Sequence, residues 1–165
     1  MRFILVCTDA GIARLAHIAD EIWHEYWPDL IGLAQTDYMV DKFQSSQALT
    51  QAIHSDGYQY YLLMDEENIV GYMGVHPEVP AGRLFLSKLY LYKTERGKGY
   101  ASEAIRFLEL LCRENGLASI YLTVNKGNDL AIRAYIGKGF ETIEAVETDI
   151  GGGFIMDDFI MEKQL

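Results

Sequence analysis

The sequence predicts a mixed α/β fold on three observations. Short apolar runs of strand length are separated by turn residues, amphipathic stretches of helical period lie between them, and the two kinds alternate as β, helices, βββ, α, β, α, ββ. With 165 residues, half of them apolar or aromatic, the chain is expected to form a single domain, residues 1–165, with a sizeable core. No linker, repeat or low-complexity tract interrupts it.

The elements follow in order. Phe3 to Val6 has a short buried-strand pattern, and Thr8 is placed to cap a helix with Ile12, Leu15, Ile18 and Ile22 on one face. Pro28 stops that helix, and further helical pieces start near Thr36 and Ser46 before Asp56-Gly57 breaks the pattern. Gly57 to Asp65 and Ile69 to His76 form a hairpin through Glu66-Glu67-Asn68, with Leu84 to Tyr92 as the third strand. Ser102 to Asn115 is an amphipathic helix with Ile105, Leu108, Leu111 and Cys112 inward, Glu109 and Arg113 paired outward, and Gly116 as its left-handed stop. Ile120 to Val124 is a buried strand. Asn128 caps a helix holding Ala131, Ile132, Tyr135 and Ile136 that ends at Gly139, and strands near Phe140 to Val146 and Phe154 to Glu162 close the chain.

Composition narrows the function classes. Fourteen Lys and Arg against 24 Asp and Glu give a formal charge of -10, which argues against nucleic acid as a partner and suits an amine or polyamine. Cys7 and Cys112 have no partner spacing and read as reduced core residues. The apolar run from Phe3 to Cys7 is too short for a signal-peptide core or a membrane span, so a cytoplasmic protein with no membrane partner is expected.

The chemistry concentrates in Arg96-Gly97-Lys98-Gly99-Tyr100-Ala101, between a strand and the Ser102 helix. Two glycines let the backbone approach a ligand, the first helical turn offers amide N–H groups and the positive end of its dipole, and Arg96 and Lys98 add mobile positive charge. It reads as a diphosphate cradle. A dinucleotide fingerprint would need glycine at Ser102 and an acid near Val124 or Asn125. A P-loop would need Ser or Thr where Gly99 stands. His24-Glu25 lacks the second histidine of a zinc-protease helix, where Pro28 stands, so no metal site is expected.

The spacing Arg96-x-x-Gly99-x-Ala101 resembles the acyl-CoA signature of the GNAT superfamily of acetyl-CoA-dependent N-acetyltransferases. Leu122-Thr123-Val124-Asn125-Lys126-x-Asn128-x-x-Ala131-Ile132-x-x-Tyr135-x-x-Lys138-x-Phe140 is similar to the family's next element, and the likeness is close from about Leu84 to Phe140. The resemblance implies the GNAT fold, a mostly antiparallel central sheet flanked by helices. It implies acetyl-CoA as co-substrate without a metal, and direct transfer to an amine through a tetrahedral intermediate. By the same match, backbone groups of Leu89-Tyr90-Leu91 hold the pantetheine and polarise the thioester carbonyl. Gly97, Lys98, Gly99, Tyr100, Ala101 and Ser102 hold the pyrophosphate together with Arg96, and Asn128 and Lys138 also belong to the coenzyme site. A phenol of pKa about 10 stays protonated at neutral pH and can protonate a thiolate of pKa about 8.5. Tyr135, seven residues after Asn128 and on the same helix face, is the general acid in this reading.

His76, Glu78 and the Asp157-Asp158 pair are candidates for the base that deprotonates the amine; the pair also breaks the strand alternation, as a bulge, a pocket lip or an edge charge would. Trp23, Tyr26, Trp27 and Tyr38, with Glu21, Glu25, Asp29 and Asp37 among them, would suit a cationic acceptor, while a core with a solvated rim is the plainer reading. A monomer or homodimer is expected. The competing function is a CoA-binding sensor without catalysis.

Overall fold

Seven strands and six helices make up the protein, and the computed structural model describes all of residues 1–165. The strand order β1-β2-β3-β4-β5-β7-β6 is antiparallel in the ladders β1–β2, β2–β3, β5–β7 and β6–β7 and parallel in β4–β5. The chain packs as two compact units, Met1–His76 with Lys88–Ala104, and Pro77–Ser87 with Ile105–Leu165.

In the first unit, β1 (Arg2–Leu5) pairs with β2 (Gln59–Asp65), which pairs with β3 (Asn68–Glu78). Helix α1 (Asp9–Tyr26) starts where Thr8 accepts the N–H of Gly11, the side-chain cap the sequence predicts. Pro28 opens the short α2 (Pro28–Ile31), and Gly32 at φ 84° reverses the chain into α3 (Leu33–Gln44). Ser45 caps α4 (Ser46–His54) through the N–H of Ala48. Helix α1 packs on α3 and α4 and buries Ile12, Leu15, Ile18, Ile22 and Trp23.

A buried hydrogen-bond chain crosses this core. Trp23 Nε1 donates to Tyr72 Oη at 2.6 Å, and Tyr72 Oη donates to Gln44 Oε1 at 2.9 Å. The three side chains satisfy one another away from water.

In the second unit the start of β4 (Arg83–Leu91) pairs in parallel with β5 (Ser119–Asn125) from Arg83↔Ser119 to Leu86↔Leu122. β5 pairs with β7 (Phe154–Gln164), and β7 with β6 (Glu141–Gly151), in a long hairpin turned by glycines of positive φ. Helix α5 (Tyr100–Asn115) buries Ile105, Leu108 and Cys112, and Gly116 ends it at φ 67°. Asn128 caps α6 (Asp129–Gly137) by accepting from the N–H of Ala131.

Three expectations need correction. β1 pairs on one side only and leaves Ile4 and Leu5 43% and 50% exposed, so its apolar run is that of an edge strand, not a buried one. Cys7, just beyond it, is exposed and not core, whereas Cys112 is buried. Glu109 does not pair with Arg113; its carboxylate takes the ammonium of Lys163 on β7 at 2.5 Å, a partner brought near by strand pairing instead of helix spacing.

Candidate active site

The site residues singled out in the sequence fall in both units, and each group has its own geometry. In the first unit, Gly97 and Gly99 adopt φ of 76° and 90° on either side of Lys98, and a Cβ at either would meet open space. The need for glycine is therefore conformational. Helix α5 begins at Tyr100, and the N–H groups of Ser102 and Glu103 both fold back onto the carbonyl of Gly99, at 3.1 and 3.2 Å. The amides of residues 97–101 donate to no group of the protein. A helix start alone leaves a few such donors, and Gly97 and Lys98 add two more to the set. Donors of this number and kind fit a diphosphate.

The two cations of the loop behave differently from the expectation of mobile charge. Arg96 Nε donates to the carbonyl of Leu91 at 3.3 Å, its guanidinium carbon lies 4.7 Å from the centre of the Tyr26 ring, and its Nη2 is buried without a hydrogen bond. Lys98 Nζ is paired with Glu95 at 2.9 Å. Both side chains brace the loop. Helix α1 braces it as well, because Glu21 accepts from Tyr92 Oη at 2.6 Å and Glu25 accepts the N–H of Lys93 at 3.0 Å. On the far side Tyr100 Oη donates to Asp65 at 2.5 Å, and that carboxylate pushes the phenol up to about 12.

This network accords with the core reading of the first helix for Trp23 and Trp27. Glu21 and Glu25 hold the loop. Trp23 and Trp27 are buried, and with Tyr26 they pack tilted and edge-on around Tyr90 of β4, Trp23 at 5.3, Trp27 at 6.2 and Tyr26 at 5.9 Å. Asp37 is engaged by His24, whose Nε2 lies 2.7 Å from the carboxylate while Nδ1 lies 2.8 Å from the carbonyl of Asp20. Both partners favour the protonated ring, and the hydrogen bond with Asp37 first, then that with the Asp20 carbonyl, raise the His24 pKa.

Along Leu89, Tyr90 and Leu91, the carbonyl of Leu91 is taken by Arg96, and that of Tyr90 faces Gly71 of β3, where a Cβ would lie 2.2 Å from it. Only glycine at position 71 lets the strands approach so closely. Lys88, next in the strand, was not singled out in the sequence; burial pushes its ammonium down to about 8.

In the second unit, α6 carries Asn128, Tyr135 and Lys138. The Asn128 side chain is used as the cap, and Lys138 Nζ donates back to the carbonyl of Ala134 at 3.3 Å. Tyr135 is half-buried with its ring edge-on to Phe140 at 5.4 Å, and its carbonyl takes the N–H groups of Lys138 and Phe140. The ring is thus fixed by the helix stop that Gly139, at φ 91°, provides.

The base candidates separate clearly. His76 Nε2 is 2.9 Å from the carbonyl of Asp56 and its ring lies tilted against Tyr58. Glu78 accepts from Tyr121 Oη and from Arg83 at 3.4 Å. Asp157 is paired with Lys126 at 2.5 Å. Asp158 is buried as a residue and accepts no hydrogen bond from the chain. No bulge lies at this pair, since the β6–β7 register shifts at Thr142/Glu144 and Asp149/Gly151 instead. No cluster of three or more His, Cys, Asp and Glu side chains is arranged to hold a metal ion, and no helix is long and apolar enough to cross a membrane.

Comparison with known proteins adds three findings. The model of the acetyltransferase (GNAT) family matches residues 19–140. An uncharacterized N-acetyltransferase of Bacillus subtilis, YycN, is 34% identical over 87 residues; the match covers 52% of this chain and 56% of YycN, about half the length of each. Among solved structures, the PaiA N-acetyltransferase of Thermoplasma acidophilum in complex with coenzyme A superposes with a TM-score of 0.80 at 18% identity over 100% of both chains. A GCN5-related N-acetyltransferase from Rhodopseudomonas palustris gives 0.79 at 14% identity, covering 100% of this chain and 97% of the other. At such identities these likenesses concern the fold.

Proposed function

Given that the chain belongs to the GNAT acetyltransferase family, we propose that it is an N-acetyltransferase that moves an acetyl group from acetyl-CoA to an amine. The acceptor class is a small amine, a polyamine or a peptide amine. One observation carries the coenzyme half of the reading: the unengaged amides of residues 97–101, held in place by side chains that are themselves occupied. Amides preorganised in this way bind an anion without a reorganisation cost at the moment of binding. Their ligand is the coenzyme's pyrophosphate, and Leu89, Tyr90 and Leu91 carry the pantetheine.

Acetyl-CoA supplies an activated acyl group on a thiol leaving group. The protein's part is to orient it, to deprotonate the amine and to protonate the departing sulfur, and the last task falls to Tyr135. No nucleophile of the chain is acylated. Burial pushes the Cys112 thiol up to about 11, which keeps it un-ionised and unreactive. The surplus of negative charge favours the approach of a cationic acceptor.

Calorimetry with coenzyme A, followed by thiol release from acetyl-CoA with a panel of primary amines, polyamines and peptides, tests the reading. Binding accompanied by amine-dependent thiol release is expected, and binding with no release would make the protein a coenzyme sensor. Replacing Tyr135 with Phe is expected to lower turnover about 10²- to 10⁴-fold while leaving coenzyme affinity unchanged. Unaltered turnover in a folded variant would remove the general-acid role.

A further inference from the structure

Asp158 is the one buried carboxylate of the chain, 6% exposed, and no donor of the protein reaches it. It lies on β7 opposite Asn125 of β5 on one side and Val146 of β6 on the other. The residue as a whole is buried while its carboxylate oxygens keep contact with solvent, so no donor of the chain occupies them and a ligand's N–H can reach them from outside. The neighbouring charges are otherwise committed. Lys126 is 2.5 Å from Asp157, its N–H donates to the carbonyl of Asp157 at 3.0 Å, and Glu147 stands opposite Asp157 in the ladder.

The position of Asp158 along the ladder matters as much as its burial. Its partner Asn125 is the last residue of β5, and Asn125 shapes the next turn through Oδ1, which takes the N–H of Gly127 at 2.9 Å, and its carbonyl, which takes the N–H of Asn128 at 2.9 Å. Asn128 in turn caps the helix that carries Tyr135. The strand end that presents Asp158 and the helix that presents the phenol are therefore joined by one braced turn.

Resting on the acetyltransferase reading above, we infer that Asp158 receives the acceptor's ammonium group and takes its proton. The carboxylate accepts one N–H proton, and the freed lone pair forms the N–C bond to the acetyl carbonyl carbon. The C–S bond breaks with its electron pair going to sulfur, and the thiolate takes the proton of Tyr135. The second proton, shed as the amide forms, restores the phenol, so one proton remains on Asp158 for release to solvent. Burial, and then the charge of Asp157, push the Asp158 carboxyl up to about 6, while Lys126 pulls it back. The group is thus ionised at neutral pH and a stronger base than an ordinary carboxylate.

The experiment compares wild type, Asp158→Asn and Asp158→Glu from pH 5 to 9, with thiol release driven by spermidine, by benzylamine and by a peptide with a free N-terminus. Coenzyme binding is measured alongside by calorimetry, and folding by thermal melting. Wild-type kcat/KM is expected to fall on the acid side near pH 6. D158N is expected to lose about 10²- to 10⁴-fold in kcat/KM together with that acid limb, with unchanged coenzyme affinity, and D158E to restore an acid limb. A D158N loss under threefold, a persisting acid limb, or a rise in KM alone would overturn the assignment while the acetyltransferase reading stood. If D158N does not fold, the D158E limb decides: a limb that does not move relative to wild type overturns the assignment. Coenzyme binding without thiol release from any of the three amines overturns both.

Discussion

Gly99→Ala sets the conformational demand of the loop against its affinity for an anion. At φ 90° an L-residue is strained by about 1–2 kcal/mol, and because a Cβ there meets nothing within 4 Å, the cost is one of backbone and not of collision. Two responses are open to the chain. If the braces at Arg96, Lys98 and Tyr100 hold the loop, the strain appears as lost stability, roughly 1–2 kcal/mol by urea denaturation. If the loop relaxes, the peptide planes on either side of residue 99 rotate and at least one amide turns from its ligand. A hydrogen bond to a charged group contributes about 1.5–3 kcal/mol, so coenzyme affinity would then fall on the order of 10- to 100-fold. Calorimetry with coenzyme A and urea titration of the same preparation give the two quantities, and each deficit is expected to grow as the other shrinks. Unchanged stability together with unchanged affinity would refute both the strain argument and the assignment of these amides.

Tyr72→Phe removes the hydroxyl shared by Trp23 and Gln44 and leaves a donor and an acceptor unsatisfied in the core. Destabilisation of about 2–4 kcal/mol is expected, on the order of 10 °C in Tm, and a change below 0.5 kcal/mol would contradict the chain described above. The raised pKa of His24 makes its contribution to stability full below its unfolded value of about 6.5 and lost as pH rises through the folded value. Melting of wild type against His24→Gln should therefore show the larger difference near pH 5.5 and converge toward pH 9; a constant offset would show that the ring is held without its charge.

The parts of this protein that were legible in the sequence are those determined over a few residues. Thr8 and Asn128 each satisfy an amide three positions on, so the helix starts could be read directly. Gly97 and Gly99 marked a loop whose backbone can approach a ligand, and both do adopt the positive φ that strains any other residue type. What escaped depends on strand register and on packing at long range. Glu109 finds Lys163 across 54 positions, and Glu21 finds Tyr92 across 71. The burial of Asp158 could be suspected only as a break in alternation, because which of two adjacent acids turns inward is decided by the ladder with Asn125 and Val146. Arg96 misled most: a basic residue in a glycine loop suggests attraction for a ligand, whereas its guanidinium lies over the Tyr26 ring.

That division of labour, amides unengaged and side chains occupied, bears on how the loop can drift in evolution. Neutral residues at 96 and 98 would slacken the fixture before they cost it any pull on phosphate, and suppressors of such changes should arise on α1, around Glu21, Glu25 and Tyr26, in place of the coenzyme's own contacts. The basic character of this segment is thus an architectural signature, and the coenzyme binding proposed for its amides would survive in a descendant whose loop carried no charge at all.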